Sequence, residues 1–352
     1  MDAVLYYAAH QLEIVKQEVP QIADDQVLIK VSCCGVCGTD HHLAELVPGH
    51  EIVGTITAVG KGVVEDLAIG DRCVVDPTVL CETCFFCRRG QHVLCANFNS
   101  LGVTIAGGFA EYVSAQSKKV YKIKNVSDEE ATLIEPAACA IHGLDKLNAP
   151  VGVDVLVIGA GPTGLILAQL LKHNGASKVV IAANKGIKTR VAQELNCGDE
   201  YLELDRENPE PQWDAFRKAN PLGFDVVVGS VYLTYAPVYL TLFSFKVEAT
   251  GSEKVANDAI HLVRRGGTLM VYGVYSNSAL VHWAPSKIFG DEIRIIGSFA
   301  QTHCFPRAVE YIDSGKIRVK GMVTDTFAIK DYQKALDKMN SKGAVKVVVK
   351  PQ

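Results

Sequence analysis

Two kinds of hydrophobic pattern divide the chain near residue 150. Before that point, short runs rich in β-branched residues are broken by Gly and Pro, as at residues 27–31, 52–59 and 72–75. Such runs predict strands joined by loops that carry function. After residue 150, short apolar runs alternate with segments whose apolar residues recur at helical spacing. The first part is therefore predicted to be β-rich and the second to be α/β.

The alternation after residue 150 begins with a strand at 153–158, a helix at 162–173, a strand at 178–182 and a helix at 187–195. This order predicts a parallel, doubly wound sheet. Further strands are predicted at 225–228, 268–272 and 293–297. A helix at 330–340 and a strand at 344–349 are expected to rejoin the first domain. The predicted division is 1–149 with 300–352, and 150–299.

Composition and charge narrow the class of protein. Hydrophobic residues make up 48% and charged residues 21% of the 352 positions, as in a globular protein. The net charge of -4 and the lack of a long basic run argue against a nucleic-acid partner. No apolar stretch is long enough to span a bilayer, and the start of the chain lacks the features of a signal peptide. We therefore expect a cytoplasmic protein without a membrane partner.

Four cysteines fall within fifteen positions, in the spacing C-x2-C-x2-C-x7-C. This spacing lets one short loop arrange four thiolates as a tetrahedron, as a closed structural zinc site requires. The alternative is a pair of disulfides, which the absence of a secretory signal disfavours. The predicted ligands are Cys81, Cys84, Cys87 and Cys95.

A G-x-G-x-x-G motif follows the first predicted strand of the α/β part and opens a helix. In that context Gly159 permits a tight turn, Gly161 lets the backbone approach a pyrophosphate, and Gly164 allows close helix–strand packing. The helix that starts at Pro162 and Thr163 offers free N–H groups to phosphates. The motif predicts a dinucleotide site, and its alternative is an ordinary Gly-rich turn.

The residue after the second predicted strand of the α/β part selects between nicotinamide cofactors. An acid there would bind the adenosine ribose and favour NAD. This chain has Ala183 and Asn184 instead, and no acid before Glu194. Lys185 and Lys188 are nearby cations that attract a 2′-phosphate. We therefore predict NADP, with NAD as the alternative if the lysines are only a solvated helix start.

A second group of metal ligands lies in the β-rich part. Cys37 and His50 sit in separate predicted loops, and a thiolate with an imidazole suits Zn²⁺ that keeps an open position for catalysis. Either Glu51 or Glu135 could supply the third ligand. A metal with these ligands polarises an alcohol oxygen and lowers its pKa.

Together these motifs resemble the zinc-dependent medium-chain alcohol and polyol dehydrogenases over nearly the whole chain. The resemblance rests on Gly-Val-Cys-Gly-Thr-Asp at 35–40, Gly-His-Glu at 49–51, the four-cysteine lobe, Gly-Gly-Phe-Ala-Glu-Tyr at 107–112, Glu-Pro at 135–136 and the glycine motif. Within the family the chain is most similar to fungal NADP-dependent D-arabinitol dehydrogenases, through segments 181–188 and 265–273. The resemblance implies a GroES-like catalytic domain and a Rossmann domain.

The resemblance also implies roles for individual residues. Cys37, His50 and Glu51 would bind the catalytic zinc, with Glu135 as an alternating ligand, and a second zinc would be structural. Thr39 would begin a proton relay to His42 while hydride passes to NADP, converting D-arabinitol to D-xylulose or D-ribulose. A homodimer or homotetramer is expected by analogy. Segments that line the cofactor in relatives correspond to Thr250, Gly273, Val274, Ser298 and Phe299.

Three segments depart from the family pattern. Residues 41–47 form a shorter connection than relatives carry, which makes His41 an alternative to His42 in the relay. Residues 229–247 resemble an apolar, aromatic insertion, which is either a real loop or a gene-model artefact. Ala300 and Gln301 replace the Arg-Tyr pair that contacts the polyol in sorbitol-type relatives.

Three other interpretations compete with this one. The first is an NAD-linked xylitol or sorbitol dehydrogenase. The second is a relative impaired by the short 41–47 connection and the insertion. The third is a zinc-binding interaction module in which Arg88 and Arg89 touch nucleic acid, which the acidic net charge and the complete dinucleotide fold oppose.

Overall fold

The computed structural model describes residues 1–8, 11–42, 46–229, 253–275 and 278–351, without the side chains of residues 8, 41 and 42. Two compact units make up the chain: Met1–His142 with Ala300–Gln352, here unit 1, and Gly143–Phe299, here unit 2. The domain limits predicted from the sequence, at residues 149 and 150, stay a prediction. The segment 230–247 and Thr250 lie outside the described residues, so the predictions that concern them also stay predictions.

The strands are numbered in chain order. They are β1 Asp2–Ala8, β2 Gln11–Lys16, β3 Gln26–Gly35, β4 Glu51–Val59, β5 Arg72–Val75, β6 Thr78–Val79, β7 Asn99–Ser100, β8 Tyr112–Gln116, β9 Val120–Lys122, β10 Asp154–Ile158, β11 Lys178–Asn184, β12 Glu200–Leu204, β13 Phe224–Gly229, β14 Val263–Val271, β15 Arg294–Gly297, β16 Val323–Ala328 and β17 Lys346–Lys350.

The α-helices of the described residues follow the same numbering. They are α1 Asp128–Ala131, α2 Ile134–Leu147, α3 Pro162–His173, α4 Ile187–Glu194, α5 Glu210–Ala219, α6 Glu253–Ala259, α7 Pro285–Gly290, α8 Phe305–Asp313 and α9 Tyr332–Asn340. Short 3-10 helices include Gly38–His42 and Cys87–Arg89. Within the described ranges, we find no helix with both the length and the apolar character needed to cross a membrane.

Unit 1 is built on a seven-stranded mixed sheet. Its strand order is β16-β17-β3-β4-β5-β9, with β8 also paired to β3. Buried and less buried residues alternate along most of β3. Val27, Ile29 and Val31 therefore face the same side of the sheet and pack into one core. Strand β17 pairs antiparallel with the end of β3, so the C-terminal segment belongs to this sheet. The antiparallel pair β3–β4 positions the metal-ligand candidates described below.

Unit 2 contains a six-stranded sheet in the order β12-β11-β10-β13-β14-β15. Every pairing in it is parallel, and the order reverses next to β10, as in a dinucleotide-binding fold. Leu156, Val180 and Val227 of its central strands are fully buried, which explains their unbroken apolar runs. The predicted α/β class is therefore confirmed.

Sequence patterns missed several elements. The strand β12 carries two acids among its five residues, Glu200 and Glu203, and lies at the edge of its sheet, so no apolar run marked it. The helix α2 was also missed, although it carries Glu135 in its first turn. Helix α3, in contrast, has the bounds that its helical spacing predicted.

Candidate metal centres and dinucleotide site

The four-cysteine lobe brings its sulfurs together within one loop. The ligand atoms of Cys81, Cys84, Cys87 and Cys95 all lie within 4.8 Å of one another. Gly90, with φ of 72°, ends the turn that begins at Cys87. All four cysteines are free, and the 3.4 Å between the sulfurs of Cys81 and Cys95 is too long for a disulfide. Of the two alternatives, the geometry therefore favours a four-thiolate site over disulfides.

Backbone N–H groups of the lobe point at its sulfurs. Cys84 Sγ accepts from the backbone of Cys87 and of Ala96, each at 3.5 Å. Cys95 Sγ accepts from the backbone of Cys81 at 3.5 Å. Backbone donors at Thr83 and Cys84 lower the pKa of the Cys81 thiol to about 5. Backbone donors thus favour the thiolates of Cys81 and Cys84, whereas burial raises the pKa of the Cys87 thiol to about 12. Donors directed at sulfurs in this way fit Zn²⁺ bound by four cysteines.

A second candidate centre forms where β3 ends and β4 begins. These strands pair antiparallel with Gly35 opposite Glu51, so the residues that follow β3 meet those that precede β4. The ligand atoms of Cys37, His50 and Glu51 lie within 4.8 Å of one another. His50 is 6% exposed and Glu51 is 2% exposed. One thiolate, one imidazole and one carboxylate fit a zinc ion that keeps an open position.

Gly35 and Gly49 make this arrangement sterically possible. A Cβ on Gly35 would lie 1.8 Å from Glu51 Oε2, so only glycine leaves room for the carboxylate. Gly49 has a φ of +99°, and a Cβ there would lie 2.9 Å from Cys34 Sγ. The motif Gly-His-Glu is therefore fixed by packing as well as by ligand chemistry.

The carboxylate of Asp40 lies beside the ring of His50. Its Oδ2 accepts from the backbone N–H of Cys37 at 2.8 Å, and its Oδ1 lies 3.4 Å from His50 Nδ1. Burial lowers the pKa of His50, but the charges of Cys37 and Asp40 outweigh burial and hold that pKa well above its usual value. With Nδ1 facing a carboxylate, Nε2 is the nitrogen available to a metal. Thr39 Oγ1 lies 3.5 Å from this Nε2.

A buried lysine that sequence reasoning missed faces Glu51. Lys346 of β17 is 4% exposed, forms an ion pair with Glu51 and donates to the carbonyl oxygen of Val36 at 3.1 Å. Burial raises the pKa of Glu51 to about 7, and the charge of Lys346 opposes that rise. A lysine inside the otherwise apolar run at 344–349 was the signal that could have identified this residue.

Glu135 lies close to this centre but outside its group of three. Burial raises the pKa of Glu135, and the charges of His50 and Lys346 oppose that rise. Its Oε1 accepts from Cys139 Sγ at 3.5 Å, one turn along α2. Cys139 is therefore a neighbour of this carboxylate. His42 ends the 3-10 helix Gly38–His42, and its side chain lies outside the described residues.

Gln301 has a structural role in unit 1. It is 1% exposed, and its side-chain amide donates to Asp76 Oδ1 at 2.7 Å. Asp76 also accepts from Lys119 at 2.9 Å and from the hydroxyl of Thr78 at 2.8 Å. These hydrogen bonds hold the Gln301 side chain inside unit 1. Gln301, at one position of the expected Arg-Tyr pair, therefore hydrogen-bonds to Asp76.

The glycine motif of unit 2 has the expected local geometry. Gly159 has a φ of 118° and donates its N–H to the carbonyl oxygen of Ala182 at 2.8 Å. Gly161 precedes α3, and a Cβ there would meet nothing within 4 Å, so the backbone is open to a ligand. Pro162 starts the helix, and Thr163 and Gly164 are buried in its first turn.

The other cofactor-site candidates of unit 2 also lie beyond carboxyl ends of its strands. Gly273 and Val274 follow β14, and Ser298 and Phe299 follow β15. Val274 is 47% exposed and Phe299 is 62% exposed. Ligands bind at this edge of open parallel sheets.

The end of β11 has an acidic neighbour on β12, Glu203, which could not be recognised from the sequence alone. Ala183 pairs with Glu203 of β12, and Asn184 pairs with Leu204. Lys185 is exposed and Lys188 half-buried, both beside this strand end. Because β12 was not predicted, Glu203 could not be recognised as a neighbour of Ala183.

Comparisons with known proteins agree with this architecture. Residues 23–125 match the family model described as alcohol dehydrogenase GroES-like domain, and residues 162–314 match the one described as zinc-binding dehydrogenase. D-arabinitol dehydrogenase 1 of Uromyces fabae is 53% identical, covering 100% of this chain and 97% of that protein. The sorbitol dehydrogenase of Bacillus subtilis is 28% identical over 96% of this chain and 93% of its own length.

Solved structures are similar over almost the whole chain. A zinc-binding dehydrogenase from Sinorhizobium meliloti, solved with NADP, has a TM-score of 0.87 and 27% identity, covering 99% of each chain. An alcohol dehydrogenase from Escherichia coli, solved with NADH, has a TM-score of 0.84 and 26% identity, also covering 99% of each chain. Proteins of this fold thus bind either nicotinamide coenzyme.

Proposed function

Because the chain belongs to the zinc-dependent medium-chain alcohol and polyol dehydrogenases, we propose that it oxidises D-arabinitol to a pentulose with NADP. The 53% identity to a D-arabinitol dehydrogenase over the full chain carries this proposal. One C–H hydride would pass to the nicotinamide, and the hydroxyl proton would leave to solvent, giving D-xylulose or D-ribulose and NADPH.

The proposed catalytic metal ligands are Cys37, His50 and Glu51, with Glu135 as an alternating ligand. Their mutual approach and their burial support this set. A zinc ion bound there supplies Lewis acidity that lowers the pKa of an alcohol. The protein would orient the imidazole through Asp40 and fix the carboxylate through Lys346.

Proton transfer is proposed to begin at Thr39 and to end at His42. The hydroxyl of Thr39 lies within 3.5 Å of His50 Nε2, which places it beside the candidate metal centre. A Thr39→Val variant should lose most turnover and keep its zinc content, because valine has the same shape but cannot pass on a proton. A Thr39→Ser variant should retain much of the activity.

The second zinc is proposed to be structural, held by Cys81, Cys84, Cys87 and Cys95. The mutual approach of the sulfurs and the N–H groups directed at them support this role. We also propose a homo-oligomer, which size-exclusion chromatography with light scattering tests. The cytoplasmic location remains a prediction from the sequence.

NADP is the proposed coenzyme, since Ala183 leaves no acid on β11 at the adenosine end and Lys185 and Lys188 are nearby cations. The second candidate is an NAD-linked xylitol or sorbitol dehydrogenase. Glu203, which lies opposite Ala183, is the observation that favours it. A higher kcat/KM with NAD⁺ than with NADP⁺ would establish the second candidate and reject the first.

The deciding experiment is a spectrophotometric screen of pentitols and hexitols with both coenzymes, with and without a chelator. We expect the highest kcat/KM with D-arabinitol and NADP⁺, and loss of turnover with the chelator. A higher kcat/KM with another polyol would reject the proposed substrate. Zinc analysis of the same sample separates an impaired relative, with one zinc and no turnover, from an intact enzyme with two.

A further inference from the structure

The carboxylate of Glu203 on β12 lies beside the end of β11, where Ala183 stands in place of the acid that NAD-binding proteins carry. Strands β11 and β12 are parallel neighbours, and Glu203 pairs with Ala183. Paired residues of neighbouring strands point to the same face, and the strands lie about 4.8 Å apart. The backbone N–H of Lys185 donates to the carbonyl oxygen of Leu204 at 2.9 Å, so the turn after β11 is tied to this pair. Glu203 therefore stands beside the position that reads the adenosine ribose.

The Glu203 side chain is held in place by the start of α4. The hydroxyl of Thr189 donates to Glu203 Oε1 at 2.7 Å, and Thr189 is 1% exposed. The backbone N–H of Gly186 donates in turn to Thr189 Oγ1 at 3.2 Å. This chain of hydrogen bonds ties one carboxylate oxygen of Glu203 to the start of α4. A carboxylate has a second oxygen that can accept a hydrogen bond from a ligand.

The charge of Glu203 is not neutralised within the part of the chain that the structure describes. Among those residues, no lysine or arginine nitrogen lies within 4.0 Å of its carboxylate. Glu200, on the same strand, contrasts with it, because Glu200 forms an ion pair with Lys178 at 2.8 Å. An acid that forms no ion pair with the described residues thus lies near the end of β12, where the coenzyme ribose is expected.

We infer that Glu203 is a specificity-determining residue that disfavours the 2′-phosphate of NADP and favours the free ribose of NAD. This inference rests on the proposed dinucleotide site. A carboxylate repels a phosphate dianion, whereas it accepts a hydrogen bond from a ribose hydroxyl. Both effects act in the same direction, so Glu203 limits the NADP preference that Ala183, Lys185 and Lys188 produce.

The test is the dissociation constant of NADPH and of NADH, measured by fluorescence titration of the full chain at low ionic strength. In a Glu203→Gln variant, the ratio of the NADH constant to the NADPH constant should rise about tenfold, since the charge is lost and the amide oxygen still accepts from Thr189. At 0.5 M salt the increase should shrink to about threefold or less, because screening weakens the repulsion.

Three control variants separate charge from structure. Glu200→Gln removes an acid at the other end of the same strand, and the ratio should change by less than about twofold. Glu203→Asp keeps the charge and should also leave the ratio near that of the parent chain. Thr189→Val breaks the hydrogen bond but keeps the Glu203 charge, so its shift should be much smaller than that of Glu203→Gln.

Outcomes for this inference and for the proposed coenzyme are distinguishable. A parent chain that binds NADH more tightly rejects the NADP proposal, while a raised ratio in Glu203→Gln still supports the role of Glu203. An unchanged ratio in Glu203→Gln, or an equal shift in Thr189→Val, overturns the inference alone. A chain that binds neither coenzyme contradicts both.

Discussion

The two candidate metal centres of unit 1 are built in opposite ways. The four-cysteine lobe takes all its ligands from residues 81–95, and backbone N–H groups of the same loop support its sulfurs. The group of Cys37, His50 and Glu51 needs the pairing of β3 with β4, and its support comes from Asp40 and from Lys346 on β17. A closed, local site suits a structural role, and a site with three protein ligands and distant supports suits catalysis.

The largest expected effect follows from removing a ligand of the second centre. Cys37→Ser should lower turnover by about 10⁴-fold, equivalent to about 5 kcal/mol of transition-state stabilisation, because the metal is lost or misplaced. Zinc analysis should give one ion per chain instead of two. Cys197→Ala, at a buried cysteine of unit 2, is the matched control and should keep both ions. Turnover of Cys37→Ser near that of the parent chain would refute the catalytic role.

The corresponding change in the lobe should affect stability. Cys87→Ser should also remove one zinc, and the free energy of unfolding should fall by about 4 kcal/mol, in the range of other structural metal sites. Arg88→Ala, at an exposed neighbour in the same lobe, should retain two ions. If Cys87→Ser lost turnover but no stability, the roles of the two centres would have to be exchanged.

The next largest effect is expected from removing the ion pair between Lys346 of β17 and Glu51. Lys346→Met should lower the free energy of unfolding of the zinc-free protein by about 3 kcal/mol, because the buried Glu51 loses its partner. Lys118→Met breaks the exposed ion pair with Glu82 and should change the free energy of unfolding by about 0.5 kcal/mol or less. Denaturant titration at pH 7 measures both variants. Equal effects of the two substitutions would mean that Lys346 does not support the centre.

The smallest effect on stability is expected at Asp313 of unit 1, whose hydrogen bonds do not involve a metal ligand. Asp313 Oδ1 accepts from the backbone of Lys124, Asn125 and Val126 at 3.1, 2.7 and 3.0 Å. Burial raises the pKa of Asp313, but these donors outweigh burial and lower it overall. Asp313→Asn should reduce the free energy of unfolding by about 1.5 kcal/mol at pH 7, with or without chelator.

The pH dependence of that contact has a definite sign. Because the folded pKa of Asp313 lies below the unfolded value, its stabilisation is present above the unfolded pKa of about 3.9 and is lost as the pH falls through the folded pKa. The difference between the parent chain and Asp313→Asn should therefore shrink between pH 5 and pH 2. A difference that stays constant over that range would show that the charge is not responsible.

The contrast between the two centres also explains what the sequence could predict. The lobe needs only spacing, and α3 needs only helical periodicity, so both could be identified from local patterns. The contact between Glu51 and Lys346 depends on a strand pairing across most of the chain length, for which periodicity gives no signal. Glu203 was missed for a related reason, since its role depends on an edge strand in which two of the five residues are acidic.

The most direct test of two different metal centres is stepwise removal of zinc from the purified protein, with turnover and metal content measured in the same samples. We predict two ions per chain, with all turnover lost when a chelator has removed the first, while the protein stays folded. The second ion should leave only as unit 1 unfolds. A single ion per chain, or full turnover after the loss of one ion without unfolding, would contradict the account.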